Sequence, residues 1–136
     1  MQVAQPRNVT DELRELWEHA LKRLASHRGG PELYLTIRRD TDDDELLTQL
    51  VGSGVLWTIA AEGRLVGFAV VRDQVVEGVF VDHESRRQGV ATTLLKTLVA
   101  GEGRPKDGLA LPGDRGMKSL YESLGWKARL LTMRGE

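Results

Sequence analysis

The chain contains no cysteine. Disulfides, thiolate nucleophiles and cysteine metal sites are therefore excluded together. Histidine is scarce too, and His19, His27 and His83 are scattered along the sequence, which argues against zinc. Aromatic residues make up 5% of the chain and the formal net charge is −1. Neither a stacking surface nor a global basic field draws it to nucleic acid. No apolar run approaches membrane-spanning length, and the N-terminus has no basic-then-apolar leader. A cytoplasmic protein with no membrane partner is the expectation. There is no internal repeat and no low-complexity tract. The 136 residues suit one domain, 1–136, with a real core.

What the chain does have is an organised stretch from Val79 to Leu95. It opens as a β-branched and aromatic run, the end of a strand. A polar turn with Arg86, Arg87 and Gly89 follows. Val90, Ala91, Leu94, Leu95, Leu98 and Val99 then recur at helical spacing. The first turn of such a helix has N–H groups without partners and the positive end of the helix dipole. Gly89 and Ala91 leave room for a close approach to the backbone. Arginines at a helix start are mildly unfavourable by the dipole, which an anionic ligand explains. These residues point to a phosphate-bearing ligand. They form neither a Walker A loop nor a dinucleotide fingerprint.

The rest of the chain reads in order. Val3 to Val9 is a short edge strand, interrupted by Pro6. Thr10 caps an amphipathic helix through Leu13, Leu16, Trp17, Ala20, Leu21 and Leu24, which Gly29, Gly30 and Pro31 end. Glu32 to Arg39 is a strand or an extended loop. Thr41 caps a short helix in which Asp42–Asp44 supply first-turn charge, closed by Gly52 and Gly54. Three strands follow, Val55–Ala61, Leu65–Val71 and Gln74–Val81, with turns at Glu62-Gly63-Arg64 and Arg72-Asp73. Gly101 and Gly103 end the helix after Gly89. Leu109–Leu111 is a short parallel strand. Asp114 caps a last helix with Met117, Leu120, Tyr121 and Leu124 on one face, stopped by Gly125. Lys127–Met133 is a final strand.

The spacing Val81-x-x-x-x-Arg86-x-x-Gly89-x-Ala91 resembles the acyl-CoA signature of the GNAT N-acetyltransferases. Leu120-Tyr121-Glu122-Ser123-Leu124-Gly125-Trp126 resembles that family's late helix. The two motifs stand in the right order at plausible separation. The resemblance implies an α/β GNAT fold, a mixed central sheet flanked by helices on both faces. It implies transfer of an acetyl group from acetyl-CoA, a co-substrate, to an amine of a small molecule or peptide, with no metal. A backbone amide at Val81 or a neighbour would face the thioester oxygen. Val79, Phe80, Val81, Arg86, Arg87, Gln88, Gly89, Val90, Ala91 and Thr92 would hold the coenzyme, with Lys118 and Arg115 weaker phosphate candidates. Tyr121 matches the family's proton-donating tyrosine. The late helix opens on Asp114 where many members have asparagine, so that phosphate contact is not carried over.

Other roles rest on the residues alone. Glu77 sits in an apolar strand, where a carboxylate is either a general base or an ion-pair anchor. His83 and Glu84 are secondary candidates, and His19 and His27 are read as surface residues. Tyr34 and Trp57 are acceptor contacts by position, with the segment 32–44. A second class of function is a non-catalytic GNAT-fold module that senses or assembles around acyl-CoA. A homodimer is left open.

Overall fold

The computed structural model describes residues 1–101 and 104–135. Five strands form one sheet in sequence order: β1 (Gln2–Ala4), β2 (Leu56–Ala61), β3 (Arg64–Arg72), β4 (Val75–Val81) and β5 (Asp107–Gly108). The first four pair antiparallel, and β5 joins β4 in parallel. Both hairpin turns have two central residues, Glu62–Gly63 and Asp73–Gln74, all at positive φ. That conformation matches the twist of the flanking strands. The expected meander is present, its second turn one residue later than Arg72-Asp73.

Among the described residues five α-helices flank the sheet: α1 (Asp11–Ala25), α2 (Gly30–Arg38), α3 (Leu46–Gly52), α4 (Val90–Ala100) and α5 (Arg115–Ser123). Along β3, Phe68 and Val70 face one side and Ala69 and Val71 the other. On the first side, Leu13, Trp17, Leu46 and Leu50 from α1 and α3 cover Phe68 and Val70. On the second, Val90, Leu94, Leu95 and Leu98 from α4 pack with Ala69, Val71 and Val76. A fully buried side chain of this size contributes roughly 1.5–3 kcal/mol, so both layers are held firmly to the strands between them. The mixed sheet with helices on both faces is the fold class expected. Thr10 accepts a hydrogen bond from Leu13 N at 3.1 Å and caps α1 as expected. No described helix is long and apolar enough to cross a membrane.

Several elements differ from expectation. Gly29, Gly30 and Pro31 do not end α1, which stops at Ala25; they open α2, with Pro31 in its first turn where a missing N–H costs nothing. Glu32–Arg39 is neither strand nor loop but most of that helix. The alternation of Leu33, Leu35 and Ile37 misleads because only Ile37 is buried, while Leu35 is 53% exposed. Thr41 does not cap α3, which begins at Leu46; its hydroxyl donates to Gln49 Oε1 instead. Asp42–Asp44 therefore precede the helix rather than charge its first turn.

At the other end, the strand expected over Leu109–Leu111 is displaced to Asp107–Gly108. The final strand over Lys127–Met133 is absent among the described residues, and Leu130, Leu131 and Met133 are 87%, 72% and 85% exposed. A two-residue β5 offers too short an edge for another strand to pair along. Gly103, expected to help end α4, lies outside the described residues.

Candidate active site

The last rung of the β4–β5 ladder is Leu109 N to Val76 O at 2.9 Å. Beyond it the two chains part. No described backbone hydrogen bond joins Gly78–Val81 to residues 109–111, and both segments line one cleft of about 400 Å³. The cause lies in β4 itself. Val70 pairs with Gly78 and Val71 with Val76, so Glu77 is an extra residue with no partner on β3. Such a bulge bends its strand. Past the bulge, Asp82 N bonds to Val66 O at 2.8 Å. Alternation then turns Phe80 and Gly78 towards β3, and the backbone groups of Val79 and Val81 towards the cleft.

The cleft runs to the turn between β4 and α4. Arg87 and Gly89 both have left-handed backbone, φ +64° and +77°. Glycine adopts that conformation freely; arginine is held there at a cost of about 1–3 kcal/mol. Gly89 occupies the N-cap position of α4, so no side chain caps the helix, and its first turn contains no acid. The N–H groups of Val90, Ala91 and Thr92 are left for a ligand. Of the ten residues expected to hold a coenzyme, nine line the cleft: Val79, Phe80, Val81, Arg86, Arg87, Gly89, Val90, Ala91 and Thr92. Gln88 does not, and its amide bonds to Glu84 O at 3.4 Å.

Tyr121 reaches the apex of the fork from behind. Its ring lies so close against Gly108 that an added Cβ there would clash with it, and it stacks on Trp126 at 5.3 Å. Its hydroxyl donates at 3.1 Å to Leu109 O, the carbonyl of the residue whose N–H makes the last rung. The side chain is not among those lining the cleft. Burial, helped by Asp114, pushes this phenol well above its ordinary value, so it stays protonated.

Glu77 is 3% exposed and also outside the cleft lining. Its carboxylate accepts from Arg72 at 2.7 Å and from Arg39 at 3.3 Å. The same Arg72 nitrogen donates to the carbonyls of Thr36 and Ile37 at the end of α2. The carboxylate thus ties the bulge to β3 and α2.

The acceptor candidates divide. Tyr34 lines the cleft, with its hydroxyl donating to Asp43 at 2.5 Å. Burial and Asp43 push that phenol up to about 12. The Asp43 carboxyl is drawn below its usual range by Tyr34 and Arg38. Trp57 is a correction: it lines a separate cavity of about 120 Å³ with Leu98 and Pro105. Odd-even alternation along β2 turns it away from the cleft. Arg115 and Lys118 do not line the cleft, and Lys118 Nζ is bonded to Pro112 O at 2.8 Å.

Two cleft residues were missed by sequence reasoning. Arg23, from α1, lies 3.3 Å from Val81 O and places its guanidinium carbon 5.3 Å from the centre of the Phe80 ring. His27, read as surface, is exposed but lines the same wall. Its Nδ1 is 2.7 Å from Arg23 O. A carbonyl only accepts, so Nδ1 carries the proton and Nε2 of the neutral ring is the basic nitrogen. The only available signal was position: both belong to the last turn of α1 or just past it.

Residues 52–128 match the family model described as an acetyltransferase (GNAT) domain. No curated protein matches the chain. Solved structures do. One is the aminoglycoside N-acetyltransferase AAC(6′)-Iy in complex with a bisubstrate analogue, CoA-S-monomethyl-acetylneamine, at 19% identity and TM-score 0.57 over 99% of this chain and 97% of that one. Another is a ribosomal-protein-alanine N-acetyltransferase from Brucella melitensis biovar Abortus 2308, at 22% identity and TM-score 0.54 over 98% and 100%. A third is the diaminobutyrate acetyltransferase of Paenibacillus lautus with its substrate and coenzyme A, at 16% and TM-score 0.58 over 90% and 74%. At these identities the likeness is one of fold.

Proposed function

The chain belongs to the GNAT acetyltransferase family, and we propose that it works as a single domain moving an acetyl group from acetyl-CoA to a primary amine by direct attack. The observation that carries this reading is the fork between β4 and β5. It runs from the uncapped N-terminus of α4 to a protonated phenol at its apex. Backbone N–H groups from Arg87 to Ala91 would hold the pyrophosphate, with Thr92 adding a hydroxyl. The pantetheine arm would follow the edge of Val79 to Val81 that β5 leaves unpaired, where Arg23 bonds to Val81 O. That direction brings the thioester near the apex.

The amine nitrogen attacks the thioester carbon, and the carbonyl oxygen gains negative charge. The N–H of Val79 or Val81 is a fixed donor for it. The tetrahedral intermediate collapses as the C–S bond breaks, and the sulfur leaves as a thiolate. Tyr121 serves this step by exchanging its bond to Leu109 O for one to sulfur. Its raised pKa suits a hydrogen-bond donor that stays neutral before the reaction. The amine must also lose a proton. Glu77, buried and held by two arginines, is better suited to fixing the bulge than to taking that proton. His27 Nε2 or a water is the better acceptor.

The test has two steps. Calorimetry with acetyl-CoA measures binding, and thiol release is then followed across a panel of primary amines. Binding with amine-dependent release is expected; absence of binding at millimolar ligand overturns the reading. A binding-only module has one observation in its favour: neither Tyr121 nor Glu77 lines the cleft. Tight binding with no release for any amine selects that alternative.

A further inference from the structure

We propose that Arg23 anchors a carboxylate on the acceptor, so that the substrate is an amine bearing its own carboxylate rather than a polycation. The inference rests on the transferase reading of the cleft and names its substrate class. The α1 and α2 side chains that line the cleft include no aspartate or glutamate. Among the described residues the one carboxylate in the lining is Asp114, and its Oδ1 accepts from Met117 N at 3.0 Å. The same lining includes three arginines, Arg23, Arg86 and Arg87. A substrate with several ammonium groups would meet cations and apolar carbon there.

Arg86 and Arg87 belong to the turn at the coenzyme end. Arg23 comes from α1 and meets the end of β4 at Phe80 and Val81. It is half-buried, and no ion pair among the described residues involves it. A guanidinium has five N–H donors, and among the described residues this one makes a single hydrogen bond, to Val81 O. Its plane is steadied by Phe80, which contacts Phe68 and through it Trp17, with ring centres 5.7 and 5.5 Å apart. A fixed, half-desolvated guanidinium with free donors is built for two parallel bonds to a carboxylate. His27 and Tyr34 line the same cleft, and an amine a few bonds from a carboxylate held by Arg23 would reach the Val79–Val81 edge.

The experiment compares matched acceptors: β-alanine with its amide, 2,4-diaminobutyrate with its amide, and kanamycin as polycation. The wild-type protein should favour each acid over its amide in kcat/KM by about tenfold or more, the scale of hydrogen bonds to a charged partner. Arg23→Gln should collapse that ratio through KM, and Arg23→Lys should restore part of it. The Kd of acetyl-CoA is measured alongside, because Arg23 bonds to Val81 O on the edge assigned to the pantetheine, and the loss of acid preference should exceed any change in that Kd. Equal use of acid and amide, or a preference for kanamycin, overturns the proposal. So does an Arg23→Gln variant that loses acetyl-CoA affinity and keeps its acid preference, since Arg23 would then serve the coenzyme phosphates. If acetyl-CoA binds and no amine is turned over, the transferase reading has failed separately. The anchor is then judged by calorimetry of β-alanine against the CoA complex: binding to wild type and not to Arg23→Gln sustains it, and equal behaviour refutes it.

Discussion

Helices α4 and α5 both begin on the cleft, and their N-termini are built in opposite ways. Asp114 closes α5 by accepting from Met117 N. Gly89 leaves α4 open. The same dipole and the same orphan N–H groups stand at both ends, so the cap alone decides which one is free to meet an anion. The departure from the family pattern at Asp114 fits this division: the second helix is sealed by its own carboxylate. What α5 contributes is its side, through Tyr121, rather than its end.

The sharpest way to break this comparison is to seal α4 as α5 is sealed. Gly89→Glu places bulk and negative charge at the open N-terminus, in a left-handed position that a side chain resists. Acetyl-CoA binding should fall below detection by calorimetry, and the ligand-induced rise in melting temperature should vanish. A variant that folds and binds normally would put the phosphate site elsewhere.

Tyr121→Phe tests the side of α5. Turnover should drop roughly 10²–10⁴-fold while the Kd of acetyl-CoA stays near its native value. Near-native turnover with a lower melting temperature would make the hydroxyl only a tie to Leu109. Glu77→Gln tests the bulge that opens the cleft between the two helices. Removing one partner of a buried ion pair costs about 3 kcal/mol or more. The melting temperature should fall clearly, and the pH–rate profile should keep its native shape. A flattened profile would restore Glu77 as the base.

The smallest effect expected is at Asp114. Asp114→Ala removes a helix cap worth about 1 kcal/mol, a loss of roughly 3–6 °C in melting temperature for a chain of this size. Acetyl-CoA should still bind. Loss of binding on the same scale as Gly89→Glu would show that the two N-termini act together.

Much of this was legible along the chain, unevenly. The turn from Val81 to Ala91 is local: glycine spacing, a missing cap and the start of an apolar stripe are all written within eleven positions. The same holds for Thr10 and Asp114, whose caps reach only three residues. The segment after Gly29 was not legible. Three apolar residues in alternation fit a strand or one side of a helix, and packing of Ile37 against the sheet decides between them. The tail from Lys127 has strand-forming residues without an edge to pair with.

The sequence by itself determined the family, the open helix N-terminus and the three-strand meander that leads to it. Each depends on contacts between near neighbours in the chain. Only the tertiary structure decided what shares the cleft with that terminus. Arg23 meets Val81 across 58 residues, and Glu77 meets Arg39 across 38. One pairing brings an unexpected cation into the cleft, and the other ties a candidate base to the end of α2. No local pattern encodes either meeting, because each is set by how α1 and α2 lie on the strands.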